Sequence, residues 1–255
     1  MRKGNTNITR GIYTAATGML ANQTAEDAIA QNLANASTTG YKQDIPQFQS
    51  FADTLLHRVG DGGGNIGAIG RGAALQSLAT DFESGAMEKT GNPLDVALTG
   101  DACLSVQTGQ GVRLSRDGAL TRNPQGLLSQ VSGGGIVLGQ TGKPIRIPEN
   151  AGSITISPNG QLAVDGKAIG QIRLTSVSGT SGAVKTGDNQ FTQSAARPAS
   201  AGSGVRQGYL ESSNVSVVKE MVAMISCMRA YETNQKMVQA QDDLTNKAVN
   251  DIAKL

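Results

Sequence analysis

Tryptophan is absent from this 255-residue chain, histidine occurs once, cysteine twice, and Phe, Trp and Tyr together make up 3%. That scarcity removes the large anchors that usually line ligand pockets and compact interfaces. Packing falls instead to Ala, Val, Ile, Leu and the seven Met, and 38% hydrophobic content is enough for a core. Cys103 and Cys227 lie far apart in segments of different expected type, with no C-x-x-C and no Cys-His spacing, so a metal site is unsupported. Two buried free thiols are favoured, with a long-range disulfide as the alternative. The lone His57 has no Cys beside it and no nucleophile-elbow Ser, and reads as a solvated helix-end residue rather than a catalytic base.

Charge is equally thin, at 16% of residues and a net +2, with Lys and Arg scattered singly. No basic stripe follows a phosphate backbone, so no nucleic-acid partner is expected. No apolar run approaches the ~20 residues that span a bilayer, so membrane insertion is not expected. Met1 to Arg10 is polar and lacks both an apolar h-region and an A-x-A site, which suggests a soluble chain or one exported without cleavage. Gly62, Gly64 and Gly67 satisfy G-x-G-x-x-G in form only, because Asn65-Ile66-Gly67-Ala68-Ile69-Gly70 will not start a helix. Lys143 follows Gly142 but precedes Pro144, and no Gly stands five residues before Gly142, so there is no P-loop. No carboxylate spacing marks an acid/base couple. Neither an enzyme, a cofactor nor a small-molecule substrate is expected.

What is present is a pair of matching ends around a different middle. Ile12, Ala16, Met19, Gln23, Glu26, Ala30 and Leu33 recur at helical spacing, with Ala15 and Ile29 widening the stripe. Ser37-Thr38-Thr39-Gly40 should end that helix, with Gly40 free to take positive φ, and an extended stretch should run through Pro46. The other end carries Met221, Ile225, Met228, Glu232, Gln235, Val238, Asp242, Thr245, Val249 and Ile252 at alternating spacings of three and four, with Asn214 as its N-cap. Polar residues at these seam-like positions predict a pair that is marginal alone and gains stability from neighbours. An ordinary helical hairpin capping its own domain is the plainer alternative.

Between the ends, short apolar alternations recur between turn signals: Val96 and Leu98, Leu104 and Val106, Val112 and Leu114, Ile145 and Ile147. The clearest hairpin joins Ile154 and Ile156 to Leu162 and Val164 through Pro158-Asn159-Gly160, followed by Asp165-Gly166 and a strand with Ile172 and Leu174. Ser176 to Gly204 should form loops and weak strands. The expected fold is mixed α and β, with long N- and C-terminal helices packed together in a coiled-coil-like way, plus a central all-β domain of short strands. The expected boundaries are a helix and extended segment over 1–59, a Gly-rich flexible connection over 60–74, the β domain over 75–204 and the long helix over 205–255.

Gly11-Ile12-Tyr13-Thr14-Ala15-Ala16-Thr17-Gly18-Met19, then Asn32-Leu33-Ala34-Asn35 and Thr38-Thr39-Gly40-Tyr41-Lys42, resemble the N-terminal signature of bacterial flagellar rod and hook proteins. Gly91-Asn92-Pro93-Leu94-Asp95-Val96-Ala97-Leu98 and Arg116-Asp117-Gly118 resemble that family's β-domain entry and next turn. Gly208-Tyr209-Leu210-Glu211-Ser212-Ser213-Asn214-Val215, Glu220-Met221-Val222 and Arg229-Ala230-Tyr231-Glu232 look like its C-terminal signature. Ala102-Cys103-Leu104 departs from the aromatic residues usual there.

The resemblance implies a structural subunit that assembles helically into a torque-carrying rod. The implied partners are copies of itself, other rod subunits and the flagellar export apparatus. The chain is short for a hook protein, and its ending, Asn246 to Ile252, looks more like the proximal than the distal rod type. A secreted β-domain binding module is the more distant alternative. The candidate assembly-interface residues are Ile12, Ala16, Met19, Ile29, Leu33, Asn35, Tyr41, Asn214, Met221, Ile225, Met228, Tyr231, Val238, Val249 and Ile252.

Overall fold

The computed structural model describes residues 5–50, 54–57, 65–69, 72–177, 183–187, 189–192, 197–200 and 202–252. An N-terminal helix, a strand-rich middle and a C-terminal helix follow one another, as the periodicities predict. Helix α1 is Asn5–Ala34 and helix α2 is Val217–Ile252. With neither Gly nor Pro in its 36 residues, α2 runs unbroken for about 54 Å at 1.5 Å per residue. Glu220 in its first turn complements the positive end of the helix dipole. At the end of α1 the chain turns where the polar cluster predicts, with the Thr38 amide bonded to the Asn35 carbonyl at 3.1 Å and Gly40 at φ 65°.

The chain divides into two compact units. One comprises Met1–Leu33, Asp44–Ala79 and Val217–Leu255, the other Ala34–Gln43 and Thr80–Ser216. In the helical unit, strand Asp44–Ser50 pairs with Ala73–Thr80, and Thr54–His57 pairs with Asn65–Ile69. Pro46 is tolerated because a two-stranded ribbon leaves each strand one open edge.

In the strand-rich unit, the largest sheet among the described residues has nine strands, with Ala102–Thr108 at its centre pairing Gly111–Ser115, Ile136–Val137 and Leu174–Ser176. The predicted hairpin forms between Ile154–Ile156 and Gln161–Val164, with Gly160 at φ 80°. Asp165 and Gly166 both take positive φ in the next turn, leading into strand Lys167–Gln171. Leu98, Leu104, Leu128 and Leu162 are fully buried in one apolar cluster, and Phe191 and Cys103 lie in a smaller one.

Several expectations change. The C-terminal helix starts at Val217, because Gly204–Gln207 pairs with Val96–Thr99 and Tyr209–Glu211 pairs with Met87–Lys89, drawing residues 204–211 into sheets. Part of the stretch expected as a flexible connection is strand Asn65–Ile69, while residues 58–64 and 70–71 lie outside the described residues. His57 ends a strand rather than a helix. Ile145 and Ile147 are buried but belong to no strand; isolated bridges at Pro144 and Arg146 hold that segment.

Candidate assembly surface

Parts of the stretches that carry the family resemblance, at residues 38–42, 91–98, 116–118 and 208–214, come together inside the strand-rich unit. Lys42 Nζ donates to Glu211 Oε1 at 2.6 Å and to the Glu83 carbonyl at 2.7 Å. Arg116 Nη1 donates to Glu211 Oε2 at 3.2 Å, and its Nη2 to the Gly100 carbonyl. The Gly85 amide donates to Glu211 Oε1 at 2.9 Å, and the Gly40 amide to the Glu211 carbonyl at 2.7 Å. Gly40 is required twice over: its φ is 65°, and a Cβ there would strike the Arg116 backbone. Thr39 Oγ1 donates to Asp117 Oδ1 at 2.8 Å, and Gly118 lies so close to the Val96 carbonyl that any Cβ would collide with it.

One buried carboxylate thus faces two buried cations. Such groups confer little net stability over an apolar core but are severely destabilising once one partner is lost. Burial lowers the pKa of Lys42, a push that its hydrogen bond to Glu211 opposes. Burial drives the Cys103 thiol up to about 11 against the nearby Arg116 cation, so it stays protonated.

Tyr41 and Asn214, expected at an assembly surface, sit in the same region. Tyr41 is buried beneath the Lys185 ammonium, 3.6 Å above its ring centre. Asn214 is not the N-cap of α2. Its Oδ1 accepts from the Gln43 amide at 2.8 Å, and its Nδ2 donates to the Asp81 carbonyl at 3.0 Å, so one side chain ties two backbone segments together. Asn35 is half-buried and accepts from Thr38 through its side chain and its carbonyl.

The helical unit has a different interior. Cys227 Sγ donates to the Asn22 carbonyl at 3.0 Å, and burial followed by the Glu26 charge raises its pKa. A Cβ on Gly11 would meet the Gln241 side chain at 3.1 Å, and one on Gly18 the Asn234 side chain at 2.9 Å. Asn32 Nδ2 donates to Glu220 Oε2 at 3.2 Å and to the Asp44 carbonyl at 2.9 Å, while its Oδ1 accepts from the Asp44 amide at 2.9 Å. These contacts pair early α1 residues with late α2 residues, so the helices run antiparallel. On α2 the inward stripe is Glu220, Met224, Cys227, Tyr231, Asn234, Val238, Gln241 and Thr245.

That stripe shares only Val238 and Thr245 with the expected one. Sequence reasoning missed Met224, Cys227, Asn234 and Gln241, because a search for apolar periodicity passes over a seam made largely of polar residues. Gly11 and Gly18, one heptad apart opposite two amide side chains, were the available signal. Of the candidates, Ile29 is buried; Ile12, Ala16, Met19, Leu33, Tyr231 and Val238 are half-buried. Met221, Ile225, Met228 and Val249 stand exposed. Ile252 closes α2, and its side chain lies outside the described residues. With Val218 and Val222, the first three of those exposed residues form an apolar band on α2 that is between 45% and 72% exposed. Contiguous exposed apolar surface of this kind is uncommon on soluble monomers.

Three family models match the chain: "Flagella basal body rod protein" over residues 12–42, "Flagellar hook protein FlgE/F/G D1 domain" over 97–164 and "Flagellar basal body rod FlgEFG protein C-terminal" over 206–251. The flagellar basal-body rod protein FlgG of Agrobacterium fabrum is 34% identical, over 93% of this chain and 97% of that one. FlgG of Bacillus subtilis is 30% identical over 94% and 98%. The basal-body rod protein FlgF of Caulobacter vibrioides is 32% identical over 90% and 92%. These identities leave the FlgF and FlgG types unseparated. A match to relatives of both types along nearly the whole chain, with three family models falling on both ends and the middle, makes it a structural subunit of the flagellar basal body: the chain belongs to the FlgF/FlgG family of flagellar basal-body rod proteins.

Proposed function

We propose that the helical unit is the part that polymerises, its two helices forming a coiled-coil-like pair that stacks beside those of neighbouring rod subunits, and that the assembled rod carries torque from the motor to hook and filament. The observation that carries this reading is the exposed apolar band on α2 opposite a seam of Gly, Asn, Gln and Cys. A weak seam and an unfilled outer face suit helices that gain stability from several neighbours. Heterologous contacts of that kind generate open helical assemblies rather than closed rings.

The finer parts of the proposal are a periplasmic position, export through the flagellar type III apparatus without a cleaved signal, and placement in the proximal rod. The last is supported by the ending from Asn246 to Ile252. Deletion of the gene followed by complementation tests the reading, with isolated basal bodies scored by electron microscopy. Assembly should stop within the rod, and the point at which it stops separates proximal from distal placement. Normal motility with complete basal bodies in the deletion strain would overturn the proposal.

A further inference from the structure

The helical unit also carries a receiving surface. Thr17, Leu20, Ala21 and Thr24 of α1, with Ala73, Ala74 and Leu75 of the neighbouring strand, enclose a notch of about 160 Å³. Its lining is apolar in effect although two of its residues are threonines. Thr17 Oγ1 donates to the Thr14 carbonyl at 2.9 Å, and Thr24 Oγ1 to the Ala21 carbonyl at 2.8 Å, so both hydroxyls are satisfied within α1. Leu20 is left largely in solvent at the rim. The notch is smaller than the ~300–1,000 Å³ of pockets that hold drug-sized ligands. It suits one or two aliphatic side chains.

We infer that, in a rod built as proposed above, the α2 band of one copy seats in this notch of the next, Ile225 entering against Leu20 and Ala21, with Met221 and Met228 on either side. Charge commits the occupant to a second copy. The described side chains of α1 carry Glu26 and Asp27 and no cation, whereas Lys219, Arg229 and Lys236 stand exposed along the first part of α2. When Ile225 is set against Leu20 and Ala21 with the helices antiparallel, Lys219 falls level with Asp27 at the notch edge, whereas Glu26 lies toward the Cys227 seam of its own copy. Within one copy, the contacts Gly11 to Gln241, Gly18 to Asn234 and Asn32 to Glu220 define a different register. The two registers differ by about two helical turns, or ~10 Å along the axis. A copy displaced by that amount fills the notch and presents its own empty notch to a third, which is an open, non-closing contact.

The test uses the full-length chain in a flagellated host strain lacking its own copy. Leu20→Cys and Ile225→Cys are introduced together and separately, and purified basal bodies are oxidised and run without reductant. The double variant should give a ladder of self-linked multimers and the single variants should not. Basal bodies that form but yield no ladder would overturn the pairing while leaving the rod-subunit reading intact, as would a product linking the chain only to a different basal-body protein. Should the double-cysteine chain support no basal bodies, the charges decide. Lys219→Glu should abolish swimming, and adding Asp27→Lys should restore it. Full swimming by Lys219→Glu alone, or no recovery in the double variant, counts against the inference.

Discussion

Leu98, Leu104, Leu128 and Leu162 are shut away from water in the strand-rich unit, whereas Met221, Ile225 and Met228 on α2 of the helical unit stand about half in solvent. Polar groups divide the other way. The strand-rich unit buries a carboxylate between two cations, while the helical unit makes its interior from Ala, Gly, amide side chains and a thiol. Each fully buried Leu contributes about 1.5–3 kcal/mol, so the strand-rich unit has the means to be stable by itself. The helical unit leaves Leu20, Met221, Ile225 and Met228 exposed to solvent. Under the assembly proposed above, self-sufficiency and readiness to assemble fall to different parts of one chain.

Removing Glu211 should strain that contrast most. Glu211→Ala leaves Lys42 and Arg116 as buried cations without their carboxylate, at a cost of about 3–5 kcal/mol. Urea unfolding should show a large loss, concentrated by amide exchange in residues 80–216. A loss below about 1 kcal/mol would mean that water reaches the cluster. Next in size is a matched pair. Leu98→Ala should cost about 2–5 kcal/mol, while Ile225→Ala, on an exposed helix face, should stay within about 0.5 kcal/mol in dilute monomer and impair assembly instead. Equal effects of the two on monomer stability would erase the comparison.

A smaller effect is expected in acid. Burial pushes the Asp101 carboxyl upward, but hydroxyl donors from Ser176, Ser200 and Ser203 and the Ser200 amide outweigh it, so its pKa lies well below the ordinary carboxylate value. A depressed folded pKa gives stability that is fully present above the unfolded value near 4 and is lost as pH falls below it. Asp101→Asn should therefore cost on the order of 1 kcal/mol at neutral pH and flatten the acid limb of a stability-against-pH curve. An unchanged acid limb would remove Asp101 from the account.

Much of this division was legible in the sequence. The hairpin at Pro158-Asn159-Gly160 and the turn at Gly40 followed from local rules, because Gly and Asn report backbone conformation directly. Helix existence was legible too, since 36 residues without Gly or Pro leave few alternatives. The start of α2 was not. Residues 204–207 and 209–211 become strands through partners more than a hundred residues away, and no local pattern encodes that. The role of Asn214 was hidden for the same reason, because cap chemistry and cross-chain bonding use the same side-chain atoms. The helix face was misjudged because apolar periodicity finds the outer band of α2 as readily as the seam, and here the outer band is the more apolar.

The smallest expected effect probes how loosely that seam is packed. Gly18 lies in the middle of α1, where alanine would favour the helix by up to about 1 kcal/mol. Among the described residues the nearest obstacle to a Cβ there is the Asn234 side-chain amide at 2.9 Å, the far end of a side chain that can rotate away. Gly18→Ala should therefore leave monomer stability unchanged or raise it by less than about 1 kcal/mol, read as amide-exchange protection in residues 11–33. The same substitution at Gly40 meets rigid backbone at positive φ and must destabilise. If Gly18→Ala instead costs as much as Gly40→Ala, the helical seam is packed as tightly as the strand-rich core. The helices would then need no neighbours to be stable, and the exposed band on α2 would have to be explained without them.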